Sequence, residues 1–250
     1  MANCAIYPIP IVESSLDKSL MTYRMNFGQQ VRTVGYVWLI DGLTQKVLVD
    51  AGASVRYSLS RGIPATQIQS LENGLANLGL TFGDIRTVIF THLHHDHIAE
   101  ARRFNRATFL VQKAELEFAR KPHPSVAAAY PEEFLKGLDF DTVDGDIRIS
   151  EEISLLFTPG HSPGGQSVAV HGGRRTAVIS GLCTIRETFE PPPQISQVMP
   201  IITPGMHTNA LEAYDSALRI KQAGTSSSRI TTLTSNPMAG SCCKTDGTFL

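Results

Sequence analysis

The segment His92-Leu93-His94-His95-Asp96-His97, an H-x-H-x-D-H array placed directly after Arg86-Thr87-Val88-Ile89-Phe90, constrains this 250-residue chain more than any other feature. The preceding run is β-branched and aromatic, with turn residues before it, and so predicts a buried strand that delivers the histidines at its exit. Imidazole nitrogen and carboxylate oxygen suit zinc and its first-row neighbours, and a loop leaving a strand can aim closely spaced side chains at one point. A packed core has no use for that density of polar groups, because unpaired imidazoles and carboxylates are costly to bury. The array reads as half of a metal site rather than as a solvated histidine cluster.

The second half is expected at Thr158-Pro159-Gly160-His161-Ser162-Pro163-Gly164, where proline and glycine fix a tight turn after an apolar run. His161 is then held at a strand exit, as the first cluster is, and becomes a third imidazole donor.

Composition narrows the partners. A formal net charge of -1, with 18% charged and 42% hydrophobic residues, gives no global field to attract nucleic acid or an anionic membrane. No apolar stretch approaches a membrane-spanning length and the start has no basic, apolar leader, so a cytoplasmic location is expected. The four cysteines, Cys4, Cys183 and the pair Cys242-Cys243, form neither a disulfide framework nor a C-x-x-C knuckle. They are expected to be reduced.

Apolar residues 37–40 and 46–50 around a turn at 41–45 predict a hairpin, and Leu71, Leu75, Leu78 and Leu80 give a helical stripe across residues 67–79. Further strands are expected at 108–111, 146–149, 153–157, 167–170 and 176–180. Helices are expected at 113–120, from Pro131, and at 211–222, the last with Leu211, Tyr214, Leu218 and Lys221 along one side. Pro191-Pro192-Pro193 reads as a stiff surface connector. The class is α/β.

The succession VLVDAG, THLHHDH and TPGHSPG resembles the metallo-β-lactamase fold hydrolases over most of residues 5–222, and its flow is most similar to the N-acyl homoserine lactonase group. The resemblance implies a four-layer αββα sandwich over residues 1–224, with two zinc ions at one edge and a metal-bound hydroxide that opens a small-molecule lactone or ester. His92, His94 and His161 would hold the first ion and Asp96 and His97 the second. Asp96 would also shuttle a proton, and Asp50 would brace the loop from behind. His95, the unconstrained position of the array, is expected to point away.

The chain departs from that pattern in three places. Leu182 stands where the family has a bridging aspartate, so the bridge is absent, supplied by water, or replaced by Cys183 after a backbone shift. Ile185 stands where lactonases have a substrate-contacting tyrosine. No histidine follows His207, although one should end a last strand after the final helix. His207 could in principle replace it, but its place at a helix start suits a capping role better. His123 and His171 are expected to be solvated.

Residues 225–250 read as an atypical tail. If Ser226, Ser227 and Ser228 use TCN codons, a frame one base earlier can read D-I-V-I-P-x-H-D-P, which would restore a strand and a histidine; the gene sequence tests this. A shifted tail would leave Cys242-Cys243 without an evolved role. Two other functions stay open: a glyoxalase II-like thioesterase on the same fold, and a degenerate metal-binding protein holding one ion with little turnover.

Overall fold

The segment 37–40 is apolar on every residue, and its alternation sends Val37 and Leu39 to one side and Trp38 and Ile40 to the other. A strand buried on both faces must be covered on both, which dictates layers. The computed structural model describes residues 4–172, 175–224, 232–233 and 243–244. In chain order these form β1 (Ala5–Asp17), β2 (Gln30–Asp41), β3 (Lys46–Val49), α1 (Val55–Ser60), β4 (Thr66–Gln67), α2 (Leu71–Ala76), β5 (Ile85–Ile89) and α3 (His95–Ile98). Next come β6 (Thr108–Gln112), α4 (Lys113–Arg120), α5 (Glu132–Leu135), β7 (Phe140–Val143), β8 (Ile147–Arg148), β9 (Ile153–Phe157), β10 (Gln166–Gly172) and β11 (Arg175–Ile179). The chain continues with α6 (Arg186–Phe189), α7 (Pro193–Ser196), α8 (Ala210–Ala223), β12 (Thr232–Leu233) and β13 (Cys243–Lys244).

The first sheet has the order β13-β1-β2-β3-β5-β6-β7 with β4 on β1, and the second the order β12-β11-β10-β9-β8. Between them lies a core of Ile6, Trp38, Ile40, Val49 and Ile89 from one sheet against Ile153, Leu155, Val168 and Ile179 from the other. Leu39, Leu48 and Val88 face outward from the first sheet onto Leu71, Leu75 and Leu116 of α2 and α4. Ala169 and Val178 face outward from the second onto Phe189, Ala217 and Ile220 of α6 and α8. The result is the expected αββα sandwich.

The hairpin β2–β3 and the strands β6, β9, β10 and β11 fall where the sequence places them, and helix α4 matches residues 113–120. Two readings need correction. Helix α2 is six residues long, not thirteen, because Asn77 ends it and Gly79 takes a φ of 71°. On α8 the buried stripe is Ala213, Ser216, Ala217 and Ile220, while Leu211 is 78% exposed. The small residues let the helix lie close to the sheet, and Leu211 falls in its first, outward-facing turn.

Strand β1 escaped the sequence reading because Pro8 and Pro10 interrupt it. The register shifts between Pro10 and Val12, and pairing on the strand's other edge is confined to Ala5–Ile6 and Val12–Glu13. Proline is tolerated at such a bulge and on such an unpaired edge. Among the described residues no helix is long and apolar enough to cross a membrane. The tail 225–250 and its shifted-frame reading lie outside the described residues, apart from β12 and β13.

Candidate metal centre

Strand β5 ends at Ile89, and buried Phe90 and Thr91 carry the chain into the histidine array. His94 is still extended, with φ -66° and ψ 154°, so His92 and His94, two residues apart, share a side. The single turn of α3 then brings His97 back, its N–H donating to the carbonyl of His94 at 2.9 Å. The rings of His92 and His94 lie 4.6 Å apart at their centroids, and those of His92 and His97 4.0 Å.

His161 arrives from the loop between β9 and β10. Thr158 N–H donates to Gly165 O, closing the loop. Gly160, with a φ of 121°, lets its carbonyl meet the N–H groups of Thr208 and Asn209 at the start of α8. A Cβ on Gly160 would stand 2.2 Å from Ala213 N, so only glycine allows this approach. The ring of His161 comes to 4.7 Å from that of His92 and 4.8 Å from that of His94. One ligand atom from each of the three imidazoles lies within 4.8 Å of the others.

Hydrogen bonds decide which nitrogens face inward. Asp50 takes a φ of 64°, unusual for a residue with a side chain, and its carboxylate accepts from Thr91 N–H at 2.8 Å and from His97 Nδ1 at 2.7 Å. It also accepts from the Thr91 hydroxyl at 2.9 Å. That hydroxyl, having spent its proton on Asp50, can only accept from Nδ1 of His92, 3.0 Å away. His161 Nδ1 donates to the carbonyl of Met206 at 2.9 Å. His92 and His161 therefore carry the proton on Nδ1 and present Nε2 as a lone pair, while His97 donates from Nδ1 to Asp50.

The Nε2 atom of His92 is buried and has no hydrogen-bond partner. A buried orphan lone pair beside two more imidazoles fits a cation of the zinc type, so the residues present suit the metal that the sequence implied. Burial, and after it the neighbouring rings, holds His92 and His94 well below the usual imidazole range, which keeps both neutral as donors require. Burial opposes charge on His97, yet Asp50 and then Asp96 outweigh it and push the ring up to about 10. This corner of the site favours positive charge.

Asp96 and His97 stand beside the three imidazoles as a separate pair, Asp96 Oδ2 lying 3.6 Å from His97 Nε2. Asp50 lies behind His97, its carboxylate 2.7 Å from Nδ1. His95 turns away, its ring 4.8 Å from that of Tyr57. His207 is not brought into the group; its Nδ1 donates to Pro204 O and its ring packs edge-on to Tyr23 at 4.7 Å, while Asn209 caps α8. Leu182 is buried against Val178, Phe189 and Ile220, and Cys183 faces the imidazoles with Sγ 3.9 Å from His161 Nε2. His123 is exposed, whereas His171 is half-buried and bonded to Ser154 and Thr176.

Two residues absent from the sequence reading hold the two loops together. Glu115, fully buried on α4, accepts from Leu93 N–H of the first loop, Gly164 N–H of the second and the hydroxyl of Tyr130. Gln166 donates to Phe90 O while its own N–H donates to Thr91 O, joining the two sheets at the site's edge. The available signal for Glu115 was its place four residues before Ala119, on the face of α4 that must be apolar. The imidazoles open into a cavity of about 570 Å³, walled by Val12, Leu16, Met21, Val34 and Ile63 among others.

Residues 31–222 match the family model of the metallo-beta-lactamase superfamily. The chain belongs to that superfamily. An N-acyl homoserine lactonase of Bacillus cereus is 28% identical over 182 residues, 66% of this chain and 69% of the relative. The N-acyl homoserine lactonase AttM of Rhizobium radiobacter is 36% identical over 101 residues, 37% of this chain and 38% of its own. A solved B. thuringiensis AiiA variant with N-decanoyl-L-homoserine at its active site superposes with a TM-score of 0.71 at 24% identity, covering 89% of each chain. That likeness supports the superfamily's fold.

Proposed function

We propose that this metallo-beta-lactamase superfamily member is a zinc-dependent hydrolase that opens a lactone or related ester. His92, His94 and His161 would hold one ion, with Asp96 and His97 serving a second. The observation that carries the reading is the convergence of three neutral imidazoles from two separate loops on one buried, otherwise unsatisfied point at the end of an apolar cavity. The curated relatives named N-acyl homoserine lactonase support the choice of ester.

Bound cations supply a water acidified towards neutral pH and polarise the ester carbonyl. The chain's own residues supply the rest. Val12, Leu16 and Met21 exclude water from the acyl portion of the substrate, leaving its carbonyl at the imidazole end. His92, His94 and His161 keep their geometry because Thr91, Glu115 and Met206 fix the rings and their loops. The Asp96 carboxylate, 47% exposed, takes the proton released by the attacking water and returns it to the ring oxygen as the C–O bond breaks.

The test is turnover of an N-acyl homoserine lactone and an acyl glutathione thioester by zinc-loaded and chelator-treated chain. Lactone hydrolysis that exceeds thioester hydrolysis and vanishes with the metal is the expected result. Thioester turnover alone would reassign the substrate, and no turnover by metal-replete chain would overturn the enzymatic reading.

A further inference from the structure

We propose that His95 is a specificity-determining residue of the cavity, donating a hydrogen bond to an oxygen substituent, a ketone or a hydroxyl, on the acyl portion of the substrate. The inference rests on the hydrolase reading and deepens it by naming the class of ester that the cavity selects.

The histidine array sends His95 to a wall of its own. His94 is extended and His95 opens the single turn of α3, so the two side chains leave the backbone in different directions. The ring of His95 lands on Tyr57 of α1, 4.8 Å between centroids. Tyr57 is itself fixed, its hydroxyl donating to Ala128 O at 2.8 Å and its ring meeting Phe134 edge-on at 5.6 Å. Helices α1 and α3 and the turn Ala127–Ala129 thus close on one another, and His95 lines the cavity together with Ile63, Val126 and Ala129.

Packing alone does not account for an imidazole at this place. Tyr57 needs only an aromatic face, which a phenyl ring would give without taking a polar group out of water. His95 is 8% exposed, and its Nδ1 is buried with no hydrogen-bond partner. Nε2 bonds to no described residue, but it is not sealed off as Nδ1 is, and so forms the edge of the ring that meets the cavity. With no acceptor in reach of Nδ1, the proton is of use on Nε2, where a ligand oxygen can receive it. The chain itself sets where that oxygen lies. His94 and His95 are consecutive, their Cα atoms about 3.8 Å apart, so a group held by His95 sits a few bonds from an ester held at the imidazoles. A ketone or hydroxyl near the start of the acyl chain fits this place, whereas an unsubstituted chain leaves the imidazole unpaired against hydrocarbon.

The experiment uses two N-acyl homoserine lactones of equal chain length, one unsubstituted and one with a ketone at the β-carbon of the acyl chain, on the zinc-loaded full chain and on His95→Phe and His95→Gln. The unaltered chain is expected to favour the ketone in kcat/KM by roughly tenfold, the worth of one such hydrogen bond. His95→Phe should bring that ratio close to one, chiefly through the KM of the ketone substrate, and His95→Gln, which keeps an N–H, should retain part of it. A ratio near one in the unaltered chain, or a preference that survives in His95→Phe, overturns the inference and leaves the hydrolase reading standing. No turnover of either lactone overturns the hydrolase reading. Calorimetric binding of the two ring-opened acids then decides the role of His95: tighter binding of the ketone that is lost in His95→Phe supports it, and equal binding to the unaltered chain refutes it. Should His95→Phe fail to fold, His95→Leu is held to the same expectation.

Discussion

At the scale of single residues, one carboxylate sets the tautomers on which the centre depends. Asp50 accepts from His97 directly and from His92 by way of Thr91, and both of its oxygens are engaged with donors. Asp50→Asn keeps the shape but puts an N–H₂ against one of those donors, whichever way the amide is turned. Zinc affinity measured by chelator competition is expected to fall about 10–100-fold, with the circular dichroism spectrum unchanged. Glu115 is tested differently, because Glu115→Ala leaves the donors of Leu93, Gly164 and Tyr130 buried and unpaired. Urea unfolding is expected to show a loss of about 3 kcal/mol or more. A loss below about 1 kcal/mol would mean that water satisfies those groups.

Elements succeed here by meeting closely. Gly160 and Gly164 each let the His161 loop touch a helix, since a Cβ would lie 2.2 Å from Ala213 N at the first and 2.0 Å from Glu115 N at the second. Gly160→Ala adds a left-handed φ penalty to the clash and is expected to cost about 2–5 kcal/mol. Thermal melting should fall accordingly, and zinc affinity with it. Asn209→Ala removes only the cap of α8, costing about 1 kcal/mol, and should leave zinc affinity unchanged. Elements with clear periodicity were legible in the sequence: the strand before the histidines, the β2–β3 hairpin, α4, and the turn that carries His161. Strand β1 was hidden by its prolines, and the buried face of α8 by its use of Ala213, Ser216 and Ala217 instead of large apolar residues. The place of Glu115 on the apolar face of α4 marks it as unusual, but its partners and those of Gln166 lie far along the chain, and no local pattern encodes such pairings.

At the scale of the whole molecule, two sheets packed through Trp38, Ile89, Leu155 and Val168 bring their loop-bearing edges together, and Gln166 fastens that edge to β5. A cation bound there links loops from both sheets and should stabilise the entire fold. At a free zinc concentration of 100 times Kd the gain is about 2.7 kcal/mol, which corresponds to a rise in Tm of about 5–11 °C. An unchanged Tm would show that zinc does not bind the folded form preferentially. The convergence of His92, His94 and His161 on one ion is tested most directly by anomalous scattering at the zinc edge from crystals of the zinc-loaded chain. The expected result is a peak at bonding distance, about 2.0–2.1 Å, from a ring nitrogen of each of the three histidines. Zinc found only elsewhere, with those rings bound to nothing in common, would contradict it.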